Sequence, residues 1–245
     1  MRKYIRMMKM SLHLDNQKRR DVLLGLCMLC MLTSIIGCGG TASSSAVSAG
    51  QQIIAKARAA HLLDATFTIT WVNQELSGTI DHFIGQGKVT LHPYRSDVHV
   101  RTAPTDYPAD TLEDIADYAT KVVYFRDSLL PGTAGTTWHK SEGPPAAFEL
   151  ANIPLIYQQL SSATLVGKEQ VSGITTWHIR GTLTAPDIYN ANETDSAVID
   201  IYLRQDTYLP VKLVAHVTGS TPQDDTLIYT AFNTGVTINL PTVGQ

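Results

Sequence analysis

Residues 197–218 read Ala197-Val-Ile-Asp-Ile-Tyr-Leu-Arg-Gln-Asp-Thr-Tyr-Leu-Pro-Val-Lys-Leu-Val-Ala-His-Val-Thr218, and their period decides the fold class. Ile199, Ile201 and Leu203 alternate with Asp200, Tyr202 and Arg204. After Gln205-Asp206-Thr207, a second run sets Val211, Leu213, Ala215 and Val217 against Lys212, Val214 and His216. Successive side chains of an extended chain point to opposite faces, so each run has one apolar and one largely polar side. The intervening turn residues fold the second run back on the first as an antiparallel hairpin.

The same period recurs along most of the chain. Ala65-Thr-Phe-Thr-Ile-Thr-Trp71 alternates strictly, and Tyr94–Arg101 sets Val98 and Val100 against Asp97, His99 and Arg101. Further strands are expected at Thr79–Ile84, Gly87–Leu91, Lys121–Phe125, Thr137–Lys140, Thr164–Gln170, Thr175–Leu183, Thr226–Asn233 and Thr237–Leu240. Asn73, Gly78, Gly85, His92-Pro93, Gly132, Gly135, Gly173, Gly219 and Gly235 punctuate them. Two stretches follow a helical period instead. Over Gln51–Leu63, Ile53, Ile54, Ala57, Ala60 and His61 form a stripe. Within Pro144–Ser162, Phe148, Leu150, Leu155, Ile156 and Leu160 form another, with Pro154 opening a short helix where a missing N–H costs nothing. Thr105–Ala119 reads either as a short capped helix or as an inserted loop.

Antiparallel strands with one wet face need a cover for the other. The expected class is therefore α+β, a half-barrel of antiparallel strands wrapped over two or three short helices. Where the helices leave the concave side unfilled, an apolar cavity remains. Its lining would be Phe67, Ile69, Trp71, Val98, Val100, Ile199, Ile201, Leu203, Val211 and Leu213. For Trp71, Trp138 and Trp177, packing in a filled core is the competing reading.

The N-terminus carries a different message. A basic stretch precedes the apolar run Val22–Ile36, which as a helix would reach about 22 Å, short of the ~30 Å hydrocarbon core. It ends in Ile35-Ile-Gly-Cys38, which has the form of a lipobox: aliphatic and small residues directly before a cysteine able to take a diacylglyceryl group. Residues 1–37 then read as a lipoprotein signal peptide, 38–50 as a flexible tether of small residues, and 51–245 as the folded domain. The alternative is an uncleaved signal anchor. The basic region is long, so translation could start at Met1, Met7, Met8 or Met10. Cys27-x-x-Cys30 falls inside the removed run, which leaves the mature chain without a free thiol once Cys38 is acylated.

Charge narrows the partners. Residues 1–37 carry +5, leaving −8 on residues 38–245 out of −3 for the whole chain. So acidic a domain is unsuited to nucleic acid, and charge alone would not hold it to an anionic membrane. The membrane contact would be the lipid on Cys38. Motifs for catalysis are missing: no nucleophile elbow, no phosphate loop, and no H-x-H or H-E-x-x-H pairing among the eight histidines. His99, His178 and His216 fall on polar strand phases and read as solvated. No catalytic residue, metal ligand or cofactor is expected.

Taken in order, the lipobox, the tether, a helix leading into an alternating strand, Leu165-Val-Gly-Lys-Glu169, Gly173-Ile-Thr-Thr-Trp-His-Ile179 and Asp206-Thr-Tyr-Leu-Pro-Val-Lys212 form a pattern. It resembles the LppX/LprG-type lipoproteins, which share a fold with the LolA and LolB lipoprotein carriers. The resemblance spans roughly Gln51–Leu240. It implies a half-barrel whose cavity receives acyl chains of a lipid or lipidated molecule, for transport or presentation across the cell envelope. It transfers no catalytic residue, and any envelope protein partner is left unnamed. The competing function is a non-enzymatic binding or sensor module whose half-barrel is filled by its own side chains.

Overall fold

The computed structural model describes residues 47–74, 80–102, 111–128, 136–142, 151–186, 194–218 and 222–243. The alternating segments become one antiparallel sheet of eleven strands. The first meander comprises β1 (Asp64–Gln74), β2 (Ile80–Leu91), β3 (Tyr94–Thr102), β4 (Thr111–Asp117), β5 (Val122–Asp127) and β6 (His139–Glu142). The second comprises β7 (Ser161–Val171), β8 (Ile174–Pro186), β9 (Thr194–Arg204), β10 (Pro210–Thr218) and β11 (Gln223–Phe232). Their order is β6-β5-β4-β3-β2-β1-β11-β10-β9-β8-β7, so the meanders join where the first strand pairs with the last. The sheet stays open and does not close into a barrel. The β9–β10 hairpin forms as its alternation predicts, with Leu213 opposite Ile201 and Ala215 opposite Ile199.

Two helices, α1 (Ala49–Ala59) and α2 (Ile153–Gln159), lie against one face of this sheet. α1 begins two residues before the expected start. Ser48 Oγ accepts from Gln51 N while Gln51 Oε1 accepts from Ser48 N, a capping box that satisfies two otherwise orphaned amides. The same hydroxyl donates to Ala163 O on β7 at 2.8 Å. Residues 48–50, the end of the expected tether, are thus part of the helix and its cap. The buried stripe is Gly50, Ile53, Ile54 and Ala57, while Ala60 and His61 fall beyond the helix end. At Gly50 a Cβ would meet Ala163 O at 2.5 Å, so the helix backbone lies directly on the strand. α2 is capped by Asn152, whose Oδ1 accepts from Leu155 N and from the hydroxyl of Tyr94. Pro154 sits in its first turn as expected, and by Ser161 the chain is already strand. Residues 143–150, with Phe148 and Leu150, lie outside the described residues.

The core fills the space between the helices and the central strands. Ile53, Ile54, Ile153, Ile156 and Tyr157 meet Phe67, Val89, Ile179, Leu183, Ile199, Ile201, Leu203, Leu213, Leu227 and Tyr229. Burying each such side chain stabilises the fold by about 1.5–3 kcal/mol.

Three expectations change. Thr79–Ile84 and Gly87–Leu91 are one continuous strand, β2, from Ile80. Gly85, expected at a turn, instead makes room within the strand, as Gly87 does: a Cβ would meet His99 O at 2.1 Å at the first and the Phe67 ring at 2.5 Å at the second. Asn73 likewise lies within β1. Thr111–Asp117 is strand β4, neither a helix nor a loop, pairing with β3 so that Glu113 stands opposite His99; the ladder outweighs a local sequence that suits either state. Finally, Thr237–Leu240 is not a strand. Its segment is held by other groups: Asp64 accepts from Thr234 N and Gly235 N, and Arg95 donates to Ile238 O at 3.0 Å.

Candidate functional site

The strand registers sort every side chain onto the helix-covered face or the opposite one. On the covered face, Phe67, Val100, Ile199, Ile201, Leu203, Val211 and Leu213 are buried, while Ile69, Trp71 and Val98 are half-buried. Ile199, Ile201, Leu203 and Leu213 have no exposed surface, so they border no space large enough for a water molecule. They belong to the same cluster as the α1 and α2 side chains.

Toward β2 and β3 the cover thins. Trp71 stands opposite Phe83, their ring centroids 4.5 Å apart, and both are half-buried. By register Val98, Leu112, Val123 and Phe125 continue this face, none of them fully buried. Among the described residues several buried donors lack hydrogen-bond partners: Trp71 Nε1 on β1, the Tyr229 hydroxyl on β11, the Tyr157 hydroxyl on α2 and, toward the far end of the sheet on β8, Trp177 Nε1. An unsatisfied buried polar group costs about 1–3 kcal/mol. Burial pushes both tyrosine hydroxyls well above their usual range, and neighbouring tyrosines add to the effect at Tyr229.

Asp225 shares this face, opposite Trp71 on one side and Ala215 on the other. Burial pushes its carboxyl up to about 7, against hydrogen bonds from Gln223 Nε2 at 2.6 and 2.7 Å.

The opposite face carries two polar clusters that the sequence reading treated as solvated strand phases. In the first, His178 is buried between two carboxylates, with Nδ1 2.6 Å from Glu169 Oε1 and Nε2 2.6 Å from Asp200 Oδ1. Arg180 grips Asp200 with Nε at 2.8 Å and Nη2 at 3.1 Å. Burial pushes the Asp200 carboxyl up, but the Arg180 and His178 hydrogen bonds and charges outweigh it and hold it below the usual carboxylate range. Tyr202 stacks on His178 at 4.4 Å. Among the described residues no serine or threonine hydroxyl is hydrogen-bonded to His178, so the cluster lacks the nucleophile of a triad.

The second cluster lies on β3 and β4. His99 Nε2 is 2.8 Å from Asp97 Oδ1 and 3.2 Å from Glu113 Oε1. The far oxygens are held from outside: Lys88 Nζ lies 3.0 Å from Asp97 Oδ2, and Arg126 Nε bonds Glu113 Oε2. A groove of about 730 Å³ opens beside it, lined among others by Thr68, Gln86, His99, Arg101, Glu113 and Arg126. Asp97 and His99 are two apart on one strand, so Asp97-Val-His99 was the available signal; Glu113 reaches them only through cross-strand pairing. His216 stays exposed, paired with Asp224.

Cys38 and the rest of residues 1–46 lie outside the described residues. Among those described, no helix is long and apolar enough to cross a membrane.

No protein-family model matches this chain, and no curated protein does. Solved structures similar to it include LprF from Mycobacterium bovis, at 17% identity and a TM-score of 0.48, covering 80% of this chain and 97% of that one. The lipoprotein LppX of Mycobacterium tuberculosis matches at 15% identity and a TM-score of 0.46, over 77% of this chain and 98% of that one. A LolA superfamily protein from Nitrosomonas europaea matches at 10% identity and a TM-score of 0.33, over 78% and 94%.

Proposed function

We propose that the mature chain is an extracytoplasmic lipoprotein, anchored to the cell membrane by lipid on Cys38, that shelters acyl chains of a lipid or lipidated molecule. Its role would be to transport or present that molecule across the cell envelope. The reading is supported above all by one feature of the covered face: half-buried Ile69, Trp71 and Val98 lie on it together with the unpartnered Trp71 Nε1 and the Tyr157 and Tyr229 hydroxyls. An ester-linked acyl chain offers what such a surface lacks. Its methylenes each gain roughly 0.8 kcal/mol on leaving water, and its carbonyl oxygens accept from N–H and O–H donors. The fully buried Ile199, Ile201, Leu203 and Leu213 fix the closed end, so the ligand would enter from the side of β2 and β3.

The same four residues favour a second reading, a filled half-barrel that acts as a protein-binding or sensor module. Mass spectrometry of lipid extracted from the chain purified out of membranes separates the two. A near-stoichiometric non-covalent lipid is expected, reduced in Val98→Trp without a lower melting temperature. A lipid-free protein, or a Val98→Trp variant that keeps its lipid, would leave the filled module. Cys38→Ala should abolish processing and detergent-phase partitioning; a processed, detergent-phase variant would remove the anchor.

A further inference from the structure

The cluster on β3 and β4 has a geometry that hydrogen bonding alone does not account for. His99 Nε2 can carry a single proton, yet it faces two carboxylate oxygens, at 2.8 and 3.2 Å. Asp97 is only 6% exposed, and among the described residues its Oδ1 receives no hydrogen bond of acceptable geometry, from His99 or from any other group. A buried carboxylate oxygen aimed at a nitrogen that does not bond it is costly. Two donors each ~2.1 Å from one ion stand about 3.0 Å apart at a right angle and about 3.4 Å apart at the tetrahedral angle, and the separations seen here, 2.8 and 3.2 Å, bracket the former. One donor atom from each of Asp97, His99 and Glu113 lies within 4.8 Å of the others.

We propose that Asp97 Oδ1, His99 Nε2 and Glu113 Oε1 form a divalent-metal site on the sheet face opposite the core, one that a first-row ion such as Zn²⁺ would occupy. One imidazole and two carboxylates suit Zn²⁺, and the usual affinity order places it above Mn²⁺ and Fe²⁺. The surroundings are those of a metal site's outer shell. Lys88 and Arg126 occupy the two far oxygens, Oδ2 and Oε2, and thereby orient the near ones inward. The three ligands come from adjacent strands in fixed register, with Glu113 directly across from His99. The groove is lined by His99 and Glu113 together with Arg101 and Arg126, so an exogenous ligand of the ion in that groove would be an anion, a carboxylate or a phosphate. The ion would pin β4 to β3, and it is independent of the acyl-chain reading.

Isothermal titration of the chelator-treated full chain with Zn²⁺ tests this. One equivalent should bind with micromolar or tighter affinity, and the melting temperature should rise with added Zn²⁺. His99→Ala should abolish the binding, the near-isosteric Glu113→Gln should weaken it at least tenfold, and Lys88→Ala should weaken it by about 10- to 100-fold. His216→Ala should change nothing. Melting temperatures of the variants in chelator, close to that of the parent, show that the fold survives. Absence of binding, or an equivalent that persists undiminished in both His99→Ala and Glu113→Gln, would overturn the site and leave an ion-pair network.

Discussion

From β8 to β11 the core face is sealed by α1 and α2, and Ile179, Ile199, Ile201, Leu203, Leu213 and Leu227 have no exposed surface. From β2 to β5 the same face of the same sheet is mixed: Val89, Val100 and Ala116 are buried, but Phe83, Val98, Leu112, Val123 and Phe125 are only half-buried. The strands alternate in both wings, so alternation alone does not build a core. What differs is the second layer: α1 packs chiefly on β7, and α2 meets α1, so the helices finish one wing. The other wing is left with apolar surface on one side and a groove on the reverse.

The largest expected effect tests the sealed wing directly. Ile201→Ala should cost about 2–5 kcal/mol in urea unfolding, because the surrounding helices and strands cannot collapse into the void. Val98→Ala, in the open wing, should cost under about 1.5 kcal/mol. Equal losses at the two positions would erase the contrast.

Asp225 comes next, since it marks the seam between the wings. Its carboxyl keeps a proton up to about pH 7 in the folded chain but releases it near 3.8 when unfolded. The folded state therefore binds more protons across that window, and stability should fall as pH rises from about 4 to 7, by on the order of a few kcal/mol. Asp225→Asn should flatten the slope and raise stability at pH 8 by roughly 1–3 kcal/mol. Asp200 has the opposite sign. Its lowered value means stability present above about 3.8 and lost as pH falls further, a loss that Asp200→Asn should remove from the acid limb of the same curve.

The smallest effect concerns how the sealed wing is fastened. Ser48→Ala removes the cap of α1 and its bond to Ala163, and should cost about 1 kcal/mol by thermal or urea unfolding. A loss near zero would mean that packing of Ile53 and Ile54 alone seats the helix.

How much of this could be read beforehand depended on whether a residue's role was local. The β9–β10 hairpin was legible because its two faces differ chemically at nearly every step. Gly85 was not, because a glycine that makes room for a neighbouring strand's backbone looks the same in sequence as one that turns the chain. β4 was ambiguous because Leu112 and Ile115 are three apart, a spacing that suits a helix as well as it suits a loop. His178 and Asp97 sit on polar phases and were read as solvated. Their partners, Glu169 and Asp200 for His178 and Lys88 for Asp97, stand on neighbouring strands and appear only once the register is known. The registers put the expected lining residues on one face, and which of them the helices fill cannot be told from the strands alone.

The pairing of β1 with β11 has a consequence in time. Asp64 and Thr234, 170 positions apart, are bound to each other beside this seam. Loop closure over such a span costs entropy before any contact repays it, and folding dominated by distant pairings is slow. During synthesis the two meanders can each form early, but they meet only after Gln223–Phe232 has been made. A chain that stops short of Gln223 would leave β1, paired only with β2, and β10, paired only with β9, each with one free edge ready to recruit other molecules.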